Sequence, residues 1–146
     1  MKRLLVVDDV PLFRAGLASA LRDAGFEVVA EAGGAEAAVS AAEAHQPDLV
    51  LLDILMPGIS GLEVVEKISA VAPDARVVLL TASESEEDLL VGVKAGARGY
   101  VTKDAPFEDL VGALKAVDNG GAAVSPNMAG KLLDVTRQLL RHQELL

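Results

Sequence analysis

The chain of 146 residues contains no cysteine and no tryptophan, and aromatic residues make up only 3% of it. The lack of cysteine excludes disulfide bonds, thiolate metal sites and cysteine nucleophiles, and it agrees with a reducing compartment. With so few aromatic side chains, a core must be built from the Val, Leu, Ile and Ala residues of a chain that is 51% hydrophobic. The length and composition are those of one globular domain.

The sequence also lacks a long hydrophobic run. The apolar stretch at positions 4–7 is interrupted by Asp8 and Asp9, too early for a signal peptide or a membrane span. Acidic residues outnumber basic ones by 22 to 13, for a net charge of -9, so a nucleic-acid backbone would be repelled. We therefore expect a soluble, cytoplasmic chain that binds neither membranes nor nucleic acid directly. Basic partner surfaces or a divalent cation fit this charge better.

Short apolar runs alternate along the chain with segments of helical periodicity. Continuous Val and Leu runs indicate strands buried on both faces, as in a parallel sheet covered by helices. The predicted strands lie at 4–7, 27–31, 49–52, 77–80 and 99–101, and the predicted helices at 13–24, 35–44, 62–68, 89–95 and 107–117. Gly25 and Gly96 are placed to end two of the helices. This order predicts an α/β fold, a doubly wound (βα)5 parallel sheet of five strands.

A glycine-containing segment at 119–121 suggests a boundary, after which Ser125 and Pro126 have the pattern of an N-cap followed by proline at N1. Apolar residues then recur at helical spacing, predicting an amphipathic helix from Asn127 to about Leu145. The sequence leaves three roles open for this helix: it docks on its own domain, pairs with a second copy, or serves as a linker.

Oxygen-bearing side chains end three of the apolar runs: Asp8, Asp53 and Thr81. Asp9 follows Asp8 directly, and Lys103 lies just beyond the fifth strand. Because functional groups gather at the carboxyl ends of parallel strands, we expect these five residues to meet at one edge of the sheet. The carboxylates would repel one another, and a divalent cation such as Mg²⁺ and an ammonium group would offset that repulsion. Such a site would suit a phosphoryl group.

Each of these residues also has an ordinary explanation when taken alone. A single Asp at a strand end is usually a helix cap, a Lys after a strand is usually solvated, and a Thr is a common strand former. What favours a functional site is the coincidence of such positions at the same end of four core strands.

The motifs of this sequence resemble the receiver domain of two-component response regulators. The resemblance rests on DD at 8–9, DILMPGISG from Asp53 to Gly61, TAS at 81–83 and YVTK at 100–103, and it covers about residues 1–120. The stretch GARGYVTKDA at 96–105 and the segment 120–126 are similar to the NarL/LuxR-type subfamily. This resemblance implies a flavodoxin-like, CheY-like sheet with strand order 2-1-3-4-5, a receiver domain at 1–120 and a linker or helix at 121–146.

The resemblance also implies roles for individual residues. Asp53 would accept the phosphoryl group of a sensor histidine kinase, and Lys103 would pair with it. The metal, Mg²⁺ with Mn²⁺ as a substitute, would be held by Asp8, Asp9, Asp53 and the backbone carbonyl of Leu55. The phosphoryl group would be bound by Thr81, the backbone N–H of Ala82, and Lys103. A movement of Thr81 toward the phosphoryl group, followed by Tyr100, would be the switch.

Two further implications concern hydrolysis and the loop after the fifth strand. Leu55 and Ser83 would flank the path of the hydrolytic water, and we hypothesise that the apolar Leu55 lengthens the phosphorylated state. Where many receivers have a cis proline after the lysine, this chain has Asp104, which leaves the Lys103–Asp104 bond undetermined.

The expected function is therefore a signalling receiver, not an enzyme on external substrates, which regulates transcription through an output outside this chain. Formation of a homodimer on phosphorylation is left open by the sequence. NarL-type regulators continue into a helix-turn-helix domain, for which 146 residues leave no room. One alternative is a receiver that acts by protein contact without phosphorylation, against which the intact acidic residues argue. Another is a metal-dependent phosphatase, which would need a second acid/base carboxylate where Leu55 stands.

Overall fold

A computed structural model describes residues 2–54, 61–82 and 85–145 of the chain. Its strands are β1 (Arg3–Val7), β2 (Glu27–Ala32), β3 (Leu49–Asp53), β4 (Arg76–Thr81), β5 (Gly99–Thr102) and β6 (Ala123–Val124). Its helices are α1 (Pro11–Asp23), α2 (Ala35–His45), α3 (Gly61–Val71), α4 (Glu86–Ala95), α5 (Phe107–Asp118) and α6 (Ala129–Leu145). Gly25 and Gly96, with φ of 100° and 86°, follow α1 and α4 in the left-handed region that glycine adopts without strain.

The strands form one parallel sheet in the order β2-β1-β3-β4-β5-β6. Side chains of the central strands alternate between two apolar layers, as the period of two along a strand requires. One layer lies between the sheet and α2, α3, α4 and α6, and the central strands contribute to it Leu5, Val7, Val50, Leu52 and Leu79. Their residues on the layer with α1 and α5 include Leu4, Val6, Leu49, Leu51, Val78 and Leu80. The α/β fold and the order 2-1-3-4-5 are confirmed.

The sheet has a sixth strand that was not predicted. β6 is only two residues long and pairs with β5, which is therefore not an edge strand. The Ser125 N–H then donates to the Tyr100 carbonyl at 3.0 Å, and the Thr102 N–H donates to Ser125 Oγ at 3.0 Å. Ser125 occupies the predicted N-cap position of the turn at Pro126–Met128, with Pro126 in its first turn. Within the described residues, however, its hydroxyl extends the strand pairing and makes no capping hydrogen bond.

The C-terminal helix lies against the receiver fold. A 3-10 turn at Pro126–Met128 precedes α6, so the regular helix begins two residues later than predicted. Met128 and Val135 are fully buried, and Leu132 and Leu139 pack against the same core as α4. Of the three open roles, the structure shows docking on the chain's own fold, whereas the division at residue 120 stays a prediction. In the described part of the chain, no helix combines the length and apolar character needed to cross a membrane.

Candidate functional site

The site lies where β1, β3, β4 and β5 end, at the carboxyl edge of the sheet. Asp53 and Thr81 are the last residues of β3 and β4, Asp8 directly follows β1, and Lys103 directly follows β5. Asp8, Asp9 and Asp53 each offer a carboxylate oxygen, and these oxygens lie within 4.8 Å of one another. The predicted clustering of the three carboxylates is therefore present. It arises because β1 pairs with β2 on one side and with β3 on the other, which opens a crevice at the switch in strand order.

Lys103 is the cation of this cluster. Its Nζ donates a hydrogen bond to Asp53 Oδ2 at 3.1 Å and lies 3.3 Å from Asp8 Oδ2. Burial alone would lower the pKa of Lys103, but the hydrogen bond and charge of Asp53, together with the charge of Asp8, outweigh burial and raise it. The lysine is thus held in its charged form between two carboxylates that are 1% and 4% exposed. Without a counter-charge, burying both would be costly.

Asp8 is fixed by contacts on both sides of its carboxylate. Its Oδ1 accepts a hydrogen bond from the Val10 N–H at 2.9 Å. Its Oδ2 is buried and faces the Lys103 ammonium at 3.3 Å. Asp9 is more accessible to solvent than either neighbour in the cluster. Three carboxylates that gather around a single ammonium fit a hard cation such as Mg²⁺, which takes oxygen ligands and keeps waters.

Phe13, at the start of the predicted helix 13–24, is a member of the site that the sequence analysis did not single out. Its side chain is 39% exposed, and Lys103 Nζ lies 4.8 Å from the centre of its ring, within the range of a cation–π contact. Its place in the first turn of α1, directly after the acidic loop, was the signal that could have pointed to this role.

Thr81 and Tyr100 form a buried pair next to the acidic cluster. Thr81 is fully buried and Tyr100 is 3% exposed, and their side chains are hydrogen-bonded to each other. Burial, with a smaller contribution from the charge of Asp88, raises the pKa of Tyr100 to about 12, while the hydrogen bond with Thr81 opposes this rise. The pair therefore links the carboxyl end of β4 to the interior of β5, where α4 and α6 pack.

The remaining predicted site residues are less informative. Leu55 and Ser83 lie outside the described residues, so the metal-ligand role of Leu55 and the hydrolysis hypothesis stay predictions. Ala82 follows Thr81 at the end of β4 and is exposed. Every peptide bond in the described ranges is trans, including the one between Lys103 and Asp104.

Comparison with known proteins agrees with this geometry. Residues 4–115 match the family model described as the response regulator receiver domain, which covers most of the chain. The chain belongs to the response-regulator receiver family. Within that family its relatives are of the NarL/LuxR type.

Three relatives illustrate the similarity. The response regulator GacA of Pseudomonas aeruginosa is 40% identical over 133 residues, which are 90% of this chain and 62% of GacA. A crystal structure of a LuxR-family two-component response regulator from Aurantimonas has a TM-score of 0.86 at 34% identity, covering 92% of this chain and 96% of that one. A response regulator from Burkholderia pseudomallei, solved with a phosphorylated aspartic acid, calcium ion and citrate, has a TM-score of 0.73 at 30% identity, covering 82% and 70%. The chain thus spans about three fifths of the length of its curated relatives.

Proposed function

We propose that this chain is a phosphorylation switch in which Asp53 accepts a phosphoryl group from a sensor histidine kinase. The observation that carries the proposal is the contact of Asp53 with Lys103 inside a cluster of three carboxylates. A carboxylate paired with an ammonium and two further acidic groups is poorly explained as a structural ion pair, because three carboxylates share the one ammonium of Lys103, which contacts two of them. A divalent cation and a transferred phosphoryl group would give that cluster a purpose.

The transfer itself needs little covalent assistance from the protein. A carboxylate oxygen of Asp53 attacks the phosphorus of a phosphohistidine, the P–O bond forms as the P–N bond breaks, and the departing imidazole takes a proton from water. Lys103 orients Asp53 and then neutralises a phosphoryl oxygen. When held by Asp8, Asp9, Asp53 and the Leu55 carbonyl, Mg²⁺ supplies positive charge to the same oxygens. The Ala82 N–H and the Thr81 hydroxyl are the remaining proposed donors.

The proposed switch begins at Thr81. Because Thr81 is hydrogen-bonded to Tyr100, drawing its hydroxyl toward a phosphoryl group on Asp53 breaks or drags that contact. Tyr100 is already buried, so the change it undergoes is one of partner and position inside the core. α4 and α6 pack on this core and would sense the change. Regulation of transcription through an output outside this chain, dimer formation on phosphorylation and a cytoplasmic location are parts of the same proposal. So is the absence of turnover on external substrates.

The relatives support the chemistry without deciding it for this chain. The Burkholderia protein was solved with a phosphorylated aspartic acid and a calcium ion, which is the combination that the cluster of carboxylates would hold here. Calcium and magnesium both take oxygen ligands, and the smaller ion suits a site built from few carboxylates and water.

The test is labelling by a small phosphodonor in the presence of Mg²⁺, followed by intact mass. We expect one phosphoryl group per chain. No labelling should occur when excess chelator is present during the reaction, and none should occur in Asp53→Asn. Asp23→Asn, a matched change on the exposed face of α1, should label like the wild type. No labelling of a folded wild type would favour the alternative in which the chain acts by protein contact alone. Steady turnover of a phosphate ester would favour the phosphatase alternative.

A further inference from the structure

Arg14 contacts the backbone of the acidic loop, whereas Lys103 contacts the Asp8 carboxylate. Its Nη1 donates a hydrogen bond to the Asp8 carbonyl oxygen at 2.8 Å. Its Nε lies 3.6 Å from Glu31 Oε1 on β2, and this nitrogen is buried. A hydrogen bond from a charged donor is stronger than one between neutral groups, so this contact is a substantial restraint on the loop.

The space that Arg14 occupies exists because residue 33 is glycine. A Cβ at Gly33 would lie 2.8 Å from Arg14 Nη1, the atom that donates to Asp8. The backbone at Gly33 is not in the positive-φ region, so glycine is not required there for its conformation. The absent side chain is instead what lets the guanidinium reach the loop. Next to it, a Cβ at Gly34 would meet no atom within 4 Å.

The contact acts at the point where the position of two carboxylates is decided. Asp8 and Asp9 are consecutive, so a contact that fixes Asp8 also restrains Asp9. The end of β2 holds Asp8 in two ways. The Asp8 N–H donates to the Ala32 carbonyl at 3.0 Å, and Glu31 pairs with Arg14, which donates to the Asp8 carbonyl. Mg²⁺ demands near-ideal octahedral geometry, so small displacements of carboxylate ligands weaken its binding. Groups that hold metal ligands in place are commonly worth tenfold or more in metal affinity.

We propose that Arg14, admitted by Gly33, is a positioning residue for the Mg²⁺ site formed by Asp8, Asp9 and Asp53. This inference rests on the proposed function and adds to it a residue on α1 and a residue after β2. It also predicts the direction in which Mg²⁺ affinity changes when Arg14 is removed or displaced. Arg14 is a cation near a cation site, so if it acted only through its charge, its removal would strengthen Mg²⁺ binding. As a positioning residue, its displacement weakens binding.

The decisive variant is Gly33→Ala, which pushes the guanidinium away and alters no charge. The protein is titrated with Mg²⁺ in the absence of a phosphodonor, and binding is monitored through the amide NMR signals of the acidic loop. We expect the dissociation constant for Mg²⁺ to rise about tenfold. Gly34→Ala makes the same chemical change one residue later, where the added Cβ meets no atom within 4 Å, and should bind Mg²⁺ like the wild type. In phosphodonor labelling, Gly33→Ala should need more Mg²⁺ for half-maximal rate but reach the wild-type rate at saturation.

Two companion measurements keep the result interpretable. Thermal unfolding with excess chelator shows whether Gly33→Ala has lost stability beyond the Gly34→Ala control. Should it have, Arg14→Gln provides a second test, because positioning predicts weaker Mg²⁺ binding and a charge effect predicts tighter binding. Unchanged affinity in Gly33→Ala, or tighter binding in Arg14→Gln, overturns the inference while leaving the proposed function intact. Failure of the wild type to bind Mg²⁺ overturns both.

Discussion

Tyr100 offers a direct optical test of the buried switch pair. It is the single tyrosine of a chain that has no tryptophan, so the tyrosinate absorbance band reports this residue alone. An exposed phenol ionises near pH 10, whereas burial and the charge of Asp88 raise the pKa of Tyr100 to about 12. We therefore expect the folded protein to show almost no tyrosinate at pH 10 and a midpoint close to 12.

The same shift predicts how stability depends on pH. The unfolded chain loses its phenolic proton near pH 10, whereas the folded protein keeps it until about pH 12. The contribution of Tyr100 is therefore fully present below pH 10 and is lost as the pH rises through that window. A pKa raised from 10 to about 12 corresponds to a loss of about 3 kcal/mol in the free energy of unfolding across that pH range. The pKa of Lys103 is also raised, which adds a parallel alkaline loss to wild type and Tyr100→Phe alike, so their difference isolates Tyr100.

The assay is a rapid pH jump with absorbance detection, checked by circular dichroism for a folded chain. Asp88→Asn should lower the pKa of Tyr100, because it removes a repelling charge, and Thr81→Val should raise it, because it removes a hydrogen bond to the phenolate. A midpoint near 10 in a chain that is still folded would refute the buried position of Tyr100. Identical midpoints in wild type and Thr81→Val would refute its contact with Thr81.

Three further changes test the site and its surroundings. Lys103→Met leaves two buried carboxylates without their cation, so urea unfolding in metal-free buffer should show a loss of about 3 kcal/mol in the free energy of unfolding. Mg²⁺ should reduce this loss, and an equal loss with and without Mg²⁺ would contradict the reasoning. Ser125→Ala removes the acceptor of the buried Thr102 N–H and should cost about 1–3 kcal/mol, with a negligible loss as the contrary result. Val135→Ala, at a fully buried position of α6, should lower the free energy of unfolding by about 1.6 kcal/mol, for two methylene equivalents. Leu133 is 61% exposed, so Leu133→Ala should lower it by less. Equal effects would mean that α6 is not docked.

Much of the fold was predictable because the central strands are buried on both faces. A strand such as β3, with all five residues buried, appears in the sequence as an unbroken apolar run that a surface strand would not show. The acidic site followed from the same pattern, since Asp53 and Thr81 end such runs and the carboxyl ends of parallel strands share an edge. These signals are local, and a single sequence carries them in full.

The features that sequence reasoning missed depend on contacts between distant segments. β6 has two residues, too few to show a period, and it forms because Ser125 meets Tyr100 and Thr102 across the sheet. Phe13 and Arg14 have ordinary helical positions in α1, and their roles emerge only once β5 and β2 place Lys103 and Gly33 beside them. Neither spacing nor composition predicts these contacts, because they join residues that are far apart in sequence and come together only in the folded chain.

The central claim is a covalent acyl phosphate on one carboxylate of the cluster, and borohydride reduction followed by peptide mass mapping tests it most directly. Reduction of protein labelled with a phosphodonor and Mg²⁺ converts an aspartyl phosphate into homoserine and leaves unmodified aspartate unchanged. We predict homoserine at position 53 alone. Homoserine at position 8 or 9, or a phosphate that survives reduction on a serine or threonine, would contradict the account.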